Sequence, residues 1–405
     1  MKIKNDYKGQ LKNRLQSKIE EIANTLSIHN AELDAPGVLG GMSGKALFMF
    51  YYSRYSGDTK FADIGEQALL RALEIINSGY SSLNYYGGIS GFVWTCEHLV
   101  QQGFIDSDSI DFLDELKPYL LSGMEYDIAN ENYDFIHGGL GAGLYFMAHK
   151  DNNKEEINRM LNCLDRAAEK MPDGCWKWKS ILDIKSKNVG YNISLPHGMS
   201  GLVVCMSKLY RKNPELVKAK EILTGAVKYI IKQMYPKYHV SFFPVYSLDN
   251  EMKTSGGESL LAWCSGDLGI SQALLQASIA LNNDELRRLS INILHFSCAG
   301  KDPKISFSND AALCHGSAGI AHVFQRVYHM TDDIFFQDAA NYWLEKTLEL
   351  AKFEDGLAGY KRWSGINKQL ENCYTLLEGV IGIGLSILSA LDDKLSSWDE
   401  CILLS

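Results

Sequence analysis

Hydrophobic and polar positions fall into two textures that take turns along the chain. The first is amphipathic, with an apolar stripe at helical period among many Glu, Lys and Arg residues. It occupies residues 11–26, 61–78, 109–123, 154–171, 215–234, 284–297 and 335–353. The second is apolar nearly all round, as in GLVVCMSKLY from Gly201, GISQALLQASIAL from Gly269 and GIGLSILSAL from Gly382. A helix with no polar face is a buried helix, and a helix with one apolar stripe covers it. The pattern predicts seven outer helices alternating with seven inner ones.

A short signature opens every inner helix. Two glycines three residues apart recur as GGMSG at Gly40, GGISG at Gly87, HGGLG at His137, HGMSG at His197, SGDLG at Ser265, HGSAG at His315 and EGVIG at Glu378. Their spacing of about 50 to 70 residues suits a helical-hairpin repeat. Alternating buried and covering helices are best satisfied by two concentric rings. The expected fold is therefore all-α, an α/α toroid of seven inner and seven outer helices forming one domain over residues 1–405. The glycines are expected to let crowded helix starts approach and to supply unusual backbone angles. Two stretches break the helical texture, 173–196 and 236–262, and read as irregular loops or short β segments over the mouth of the ring.

Composition narrows the function classes. The 405 residues are 46% hydrophobic and 22% charged, an ordinary globular balance. A net charge of −9 without a basic patch argues against nucleic-acid binding. No apolar run reaches the ~20 residues of a membrane span, and the N-terminus lacks a signal-peptide core, so a cytoplasmic protein is expected. Nine cysteines without regular spacing do not make a disulfide framework, and reduced thiols are the default.

The residue just before each glycine pair is Gly, Gly, His137, His197, Ser265, His315 and Glu378, so polar chemistry begins at the third repeat. Cys264 and Cys314 each lie two residues before their first motif glycine. Equivalent positions of neighbouring repeats should meet, which would bring Cys264, Cys314 and His315 together. Each alone reads more readily as a buried small hydrophobe or a core histidine; their coincidence at matching positions is what singles them out as a ligand set. Two thiolates and an imidazole suit Zn2+, and three ligands leave the fourth tetrahedral position open for substrate. Such a zinc activates a thiol. Addition of that thiol to a dehydroamino acid leaves an enolate, which needs a proton. His197 is the candidate donor. Asp134, four residues before Gly138, reads either as its orienting partner or as a helix cap. His137 shares the repeat position of His197 and stays open between cavity lining and structure, whereas Glu378 reads as structural beside the helix N-termini. His98, His149 and His322 share no pattern, nor do the other cysteines.

WCSG, LCHG, SLPHGMSG and the seven glycine pairs resemble the lanthionine synthetase C family, the stand-alone cyclases of class I lanthipeptide biosynthesis and their relatives. The resemblance covers nearly the whole chain, down to the tail SWDECILLS. It implies one zinc held by Cys264, Cys314 and His315, with His197 and Asp134 at the remaining catalytic positions. It also implies a dehydrated precursor peptide as substrate, thioether rings as product, and a dehydratase and an exporter as partners that would hold the protein near a membrane. No dehydratase segment precedes the toroid, so a dedicated cyclase is expected. Two positions depart from the family: Leu260 stands where an arginine is expected and Ser265 where a tyrosine is expected. Residues 236–262 are candidates for leader-peptide binding. Relatives that add glutathione to dehydroamino acids are the nearest alternative. A glycoside-processing toroid would need Asp134 opposed by Glu378 or Asp267, which leaves the Cys-Cys-His set unexplained. A helical-repeat binding protein stapled by zinc would need a fourth protein ligand, and none is evident.

Overall fold

The computed structural model describes residues 2–28, 33–148, 153–183, 188–235, 241–247, 261–299 and 310–405. Among the described residues the two textures become fourteen α-helices in alternation. The covering helices are α1 (Lys2–Ile28), α3 (Lys60–Asn77), α5 (Lys117–Ala129), α7 (Lys154–Ala167), α9 (Val217–Lys232), α11 (Asp284–Ala299) and α13 (Ile334–Glu349). The buried ones are α2 (Met42–Ser56), α4 (Ile89–Gln101), α6 (Gly139–Ala148), α8 (Met199–Lys212), α10 (Asp267–Ala280), α12 (Ser317–Thr331) and α14 (Val380–Leu391). Burial follows the texture: every residue of α8 from Met199 to Ser207 and of α10 from Asp267 to Ser278 is buried. The third covering stretch differs from the pattern. It breaks into a 3-10 helix at Ser107–Leu116 and α5, because Pro118 has no amide to donate and fits only the first turn of an α-helix.

The chain divides into two compact units. The first comprises Met1–Ser82, Tyr86–Thr95 and Phe307–Ser405, the second Leu83–Tyr85 and Cys96–Ser306. In the first, backbone hydrogen bonds join equivalent loop positions of successive repeats: Cys314 N to Leu377 O, Leu377 N to Leu39 O and Leu39 N to Tyr86 O, each 3.0 Å. In the second, Tyr85 N donates to Ile136 O at 2.9 Å and Phe135 N to Pro196 O at 3.2 Å. All lie two or three residues before a motif glycine, so the repeat register is locked by main chain.

Within each repeat the loop folds back on its own helix. Gly139 N donates to Asn132 O at 3.0 Å and Ser317 N to Asp310 O at 3.2 Å, which satisfies first-turn amides that a helix leaves orphaned. A Cβ on Gly198 would overlap the Asn192 carbonyl, so close approach is what requires glycine there. Unusual angles are not the general reason. Gly198 is extended, at φ −146°, and among the motif glycines Gly266 takes a left-handed-region φ of 104°.

The non-helical pieces are short antiparallel sheets. β1 (Glu169–Lys170) pairs β2 (Trp176–Lys177), and β4 (Asn188–Asn192) lies between β3 (Ser180–Asp183) and β5 (Tyr246–Ser247). β6 (Arg362–Ser364) and β7 (Gln369–Glu371) form a hairpin. Residues 236–240 and 248–260, including Leu260, lie outside the described residues, as does His149. No helix among the described residues is long and apolar enough to cross a membrane.

The tail is anchored by a buried polar cluster that no sequence pattern singled out. His322 Nε2 lies 2.9 Å from Asp399 Oδ2, Arg326 Nε reaches the same oxygen at 3.0 Å, and Trp398 Nε1 donates to Ser389 Oγ at 2.8 Å. Burial raises the Asp399 carboxyl, but the bond to His322 and the Arg326 charge more than offset this and hold it below the ordinary range. Asp399→Ala strands both partners and is expected to cost ~3–5 kcal/mol, read as a lower urea midpoint.

Candidate metal centre and its neighbours

Cys264, Cys314 and His315, all half-buried, present ligand atoms that lie within 4.8 Å of one another. Among the described residues this is the one cluster of three or more His, Cys, Asp or Glu groups able to hold a metal. No cysteine is in a disulfide. Soft sulfur with imidazole nitrogen is a zinc donor set, and a compact trio needs small side-chain adjustments to close around an ion with Zn–S near ~2.3 Å.

Behind His315 stands Asp310, which the sequence reading missed. Its buried side chain places Oδ2 3.6 Å from His315 Nε2. Oδ1 accepts the Ala312 amide at 3.1 Å, and Oδ2 accepts the Trp363 amide at 3.0 Å. Burial raises the carboxyl, but His315 and these two amides more than offset it and keep Asp310 below the usual carboxylate range. A carboxylate beside a histidine of this kind can fix the orientation of its ring for a metal. One signal was available: Asp310 lies six residues before its motif glycine, where Asn132 and Asn192 stand in their repeats.

His197 and Asp134 meet. His197 Nδ1 lies 2.7 Å from Asp134 Oδ2, with the imidazole 44% and the carboxylate 18% exposed. Both readings of Asp134 describe its geometry, because its other oxygen accepts the amides of Ile136 at 2.6 Å and His137 at 2.9 Å. Ser194 and Thr375 bond the equivalent amides, of His197 at 3.4 Å and Glu378 at 3.3 Å, so this capping belongs to the repeat and the contact to His197 is particular to Asp134. Burial pulls the His197 pKa down, but the Asp134 hydrogen bond, its charge and that of Cys264 lift it above the ordinary histidine value. The His137 ring stacks on His197, centroids 5.8 Å apart, and burial lowers its pKa.

The remaining nominees are occupied elsewhere. Glu378 is ion-paired with Arg362, which also bonds Glu371 at 2.7 Å. Asp267 is fully buried and accepts the Phe242 and Phe243 amides at 2.9 and 3.0 Å, a structural clamp. Ser265 lies beside Cys264, its Oγ 3.8 Å from Sγ.

The chain belongs to the lanthionine synthetase C-like protein family, whose model matches residues 35–403. Among solved structures it is similar to nisin cyclase at 18% sequence identity, covering 98% of both chains with a TM-score of 0.73. A sugar epimerase from a ruminal bacterium aligns over 87% of both chains at 9% identity and a TM-score of 0.46. No curated protein matches the sequence. The likeness to nisin cyclase shows the fold, the all-α α/α toroid that the alternation of textures predicts.

Proposed function

We propose that this protein is a zinc-dependent cyclase that adds cysteine thiols of a precursor peptide to dehydroalanine or dehydrobutyrine in the same peptide, closing thioether rings. The observation that carries this reading is the grouping of two cysteines and a histidine with no fourth protein ligand among the described residues. Zinc, when bound, lowers the pKa of a substrate thiol and holds it as thiolate at neutral pH.

The chain's own residues do the rest. Asp310 Oδ2 lies 3.6 Å from His315 Nε2 and favours a ring orientation that would leave Nδ1 for a metal. Sulfur attacks the β carbon of the dehydro-residue; a C–S bond forms, the C=C π bond breaks, and the electron pair moves onto the adjacent carbonyl as an enolate. With Nδ1 held by Asp134, His197 carries its transferable proton on Nε2 and delivers it to the α carbon. The thiol's own proton balances the loss, so nothing is oxidised or reduced. A separate dehydratase would supply the dehydrated peptide and an exporter would remove the product, which places the work in the cytoplasm, at a membrane only through partners.

Zinc-loaded protein incubated with a dehydrated, cysteine-containing peptide is expected to consume free thiols with no change in peptide mass, because the addition is an isomerisation. Thiol titration and mass spectrometry read both. A mass gain equal to one glutathione, in a parallel incubation with that tripeptide, would instead assign the glutathione-adding activity. Persisting thiols in every incubation would leave a zinc-stapled binding protein.

A further inference from the structure

The β6–β7 hairpin carries more than the mechanism uses. One side is committed: the Trp363 amide holds Asp310, and Arg362 bonds Glu371 and Glu378. Its apolar side chains are not. Trp363 and Leu370 form a cross-strand pair, 45% and 37% exposed, and Ile366 at the turn is 95% exposed. The turn is firmly tied: Asn367 N donates to Ser364 Oγ at 3.2 Å, Asn367 Nδ2 to Glu371 Oε2 at 3.0 Å, and Lys368 takes a φ of 53°. Three large apolar side chains exposed on one short, ordered hairpin gain little for folding and suit a binding surface.

We propose that this hairpin docks the apolar residues flanking the reacting cysteine and dehydro-residue of an extended peptide substrate, an inference that rests on the function proposed above. Three features choose this occupant. The hairpin is tied to the candidate metal residues, since the residue that exposes the indole also supplies the amide that holds Asp310 beside His315. Side chains at i and i+2 of an extended chain share one face ~6.5–7 Å apart, so two can rest on the Trp363–Leu370 pair at once. Lys361 is paired with Asp355 at 2.5 Å and Arg362 with two glutamates, which leaves Lys368 in the turn as a single charge where anionic headgroups call for a cluster of about four or more. Three side chains also fall well short of the ~800 Å² per partner of a stable dimer.

The test compares the full-length protein with a Trp363→Ser, Ile366→Ser double variant, which removes exposed side chains and keeps the backbone bond to Asp310. The probe is a fluorescein-labelled peptide with leucine at alternate positions and its single cysteine alkylated, so thiol chemistry contributes nothing. Its Kd is expected to rise about tenfold in the variant, with zinc content unchanged, and a serine-for-leucine control peptide should bind both proteins equally weakly. An unchanged Kd overturns the proposal even if the wild type closes rings. Loss of a dimer, or of sedimentation with anionic vesicles, without a change in Kd assigns the surface to a second copy or a membrane and overturns it too. Failure of the functional reading is seen separately, as persisting thiols in the wild type while the leucine peptide still binds.

Discussion

Cys314→Ala is expected to fold, to lose stoichiometric zinc and to stop consuming peptide thiols. Two ligands remain, Cys264 and His315, which cannot hold zinc against buffer. A metal ion that stabilises developing charge contributes several kcal/mol to the transition state, so turnover should fall about 10³-fold or more. Metal analysis of the purified variant reads the first effect and thiol titration the second. The fold should survive because the link from residue 314 to the next repeat is made by its main chain, Cys314 N to Leu377 O. Asp310→Asn provides the graded comparison: the ligands stay, the charged support of His315 goes, and zinc affinity should weaken by about 10–100-fold. A Cys314→Ala protein that keeps one zinc per chain would refute the ligand assignment.

The second large effect lies at His197. His197→Ala is expected to lower turnover by about 10²–10⁴-fold with zinc content intact, which separates proton delivery from metal binding. The pH profile tests the role more sharply. A donor works while protonated, and the His197 pKa is raised by Asp134, so activity should persist past the ordinary histidine value and fall as pH rises through the raised one. Asp134→Asn keeps an oxygen for the Ile136 and His137 amides but removes the charge, and the alkaline limb should move to lower pH. Asp134→Ala also removes the cap and should in addition lower thermal stability. An alkaline limb unmoved by Asp134→Asn would exclude His197 as the titrating acid.

Much of the candidate site is legible in the sequence because the fold is a repeat. Once the glycine pairs mark the register, residues at equivalent positions must be neighbours, and Cys264, Cys314 and His315 follow from counting back one or two residues. The pairing of His197 with Asp134 was legible as one of two options; capping and orientation use different oxygens of the same carboxylate, so both describe it. Residues that act from outside the repeat left no such mark. Arg362 and Trp363 reach Glu378 and Asp310 from a hairpin in the connection between α13 and α14, and His322 finds Asp399 across 77 residues.

The sequence by itself determined the order of buried and covering helices and the glycine at every inner helix start, and it singled out the candidate sulfur and nitrogen donors, because all three depend on local period and repeat register within a few residues. Only the tertiary structure decided what each carboxylate contacts. Asp310 supports His315, Asp267 clamps Phe242 and Phe243, Glu378 is taken by Arg362, and Asp134 faces His197. A carboxylate's role is set by the donors that reach it and by its burial, and in a closed repeat those arrive from loops far away in the chain.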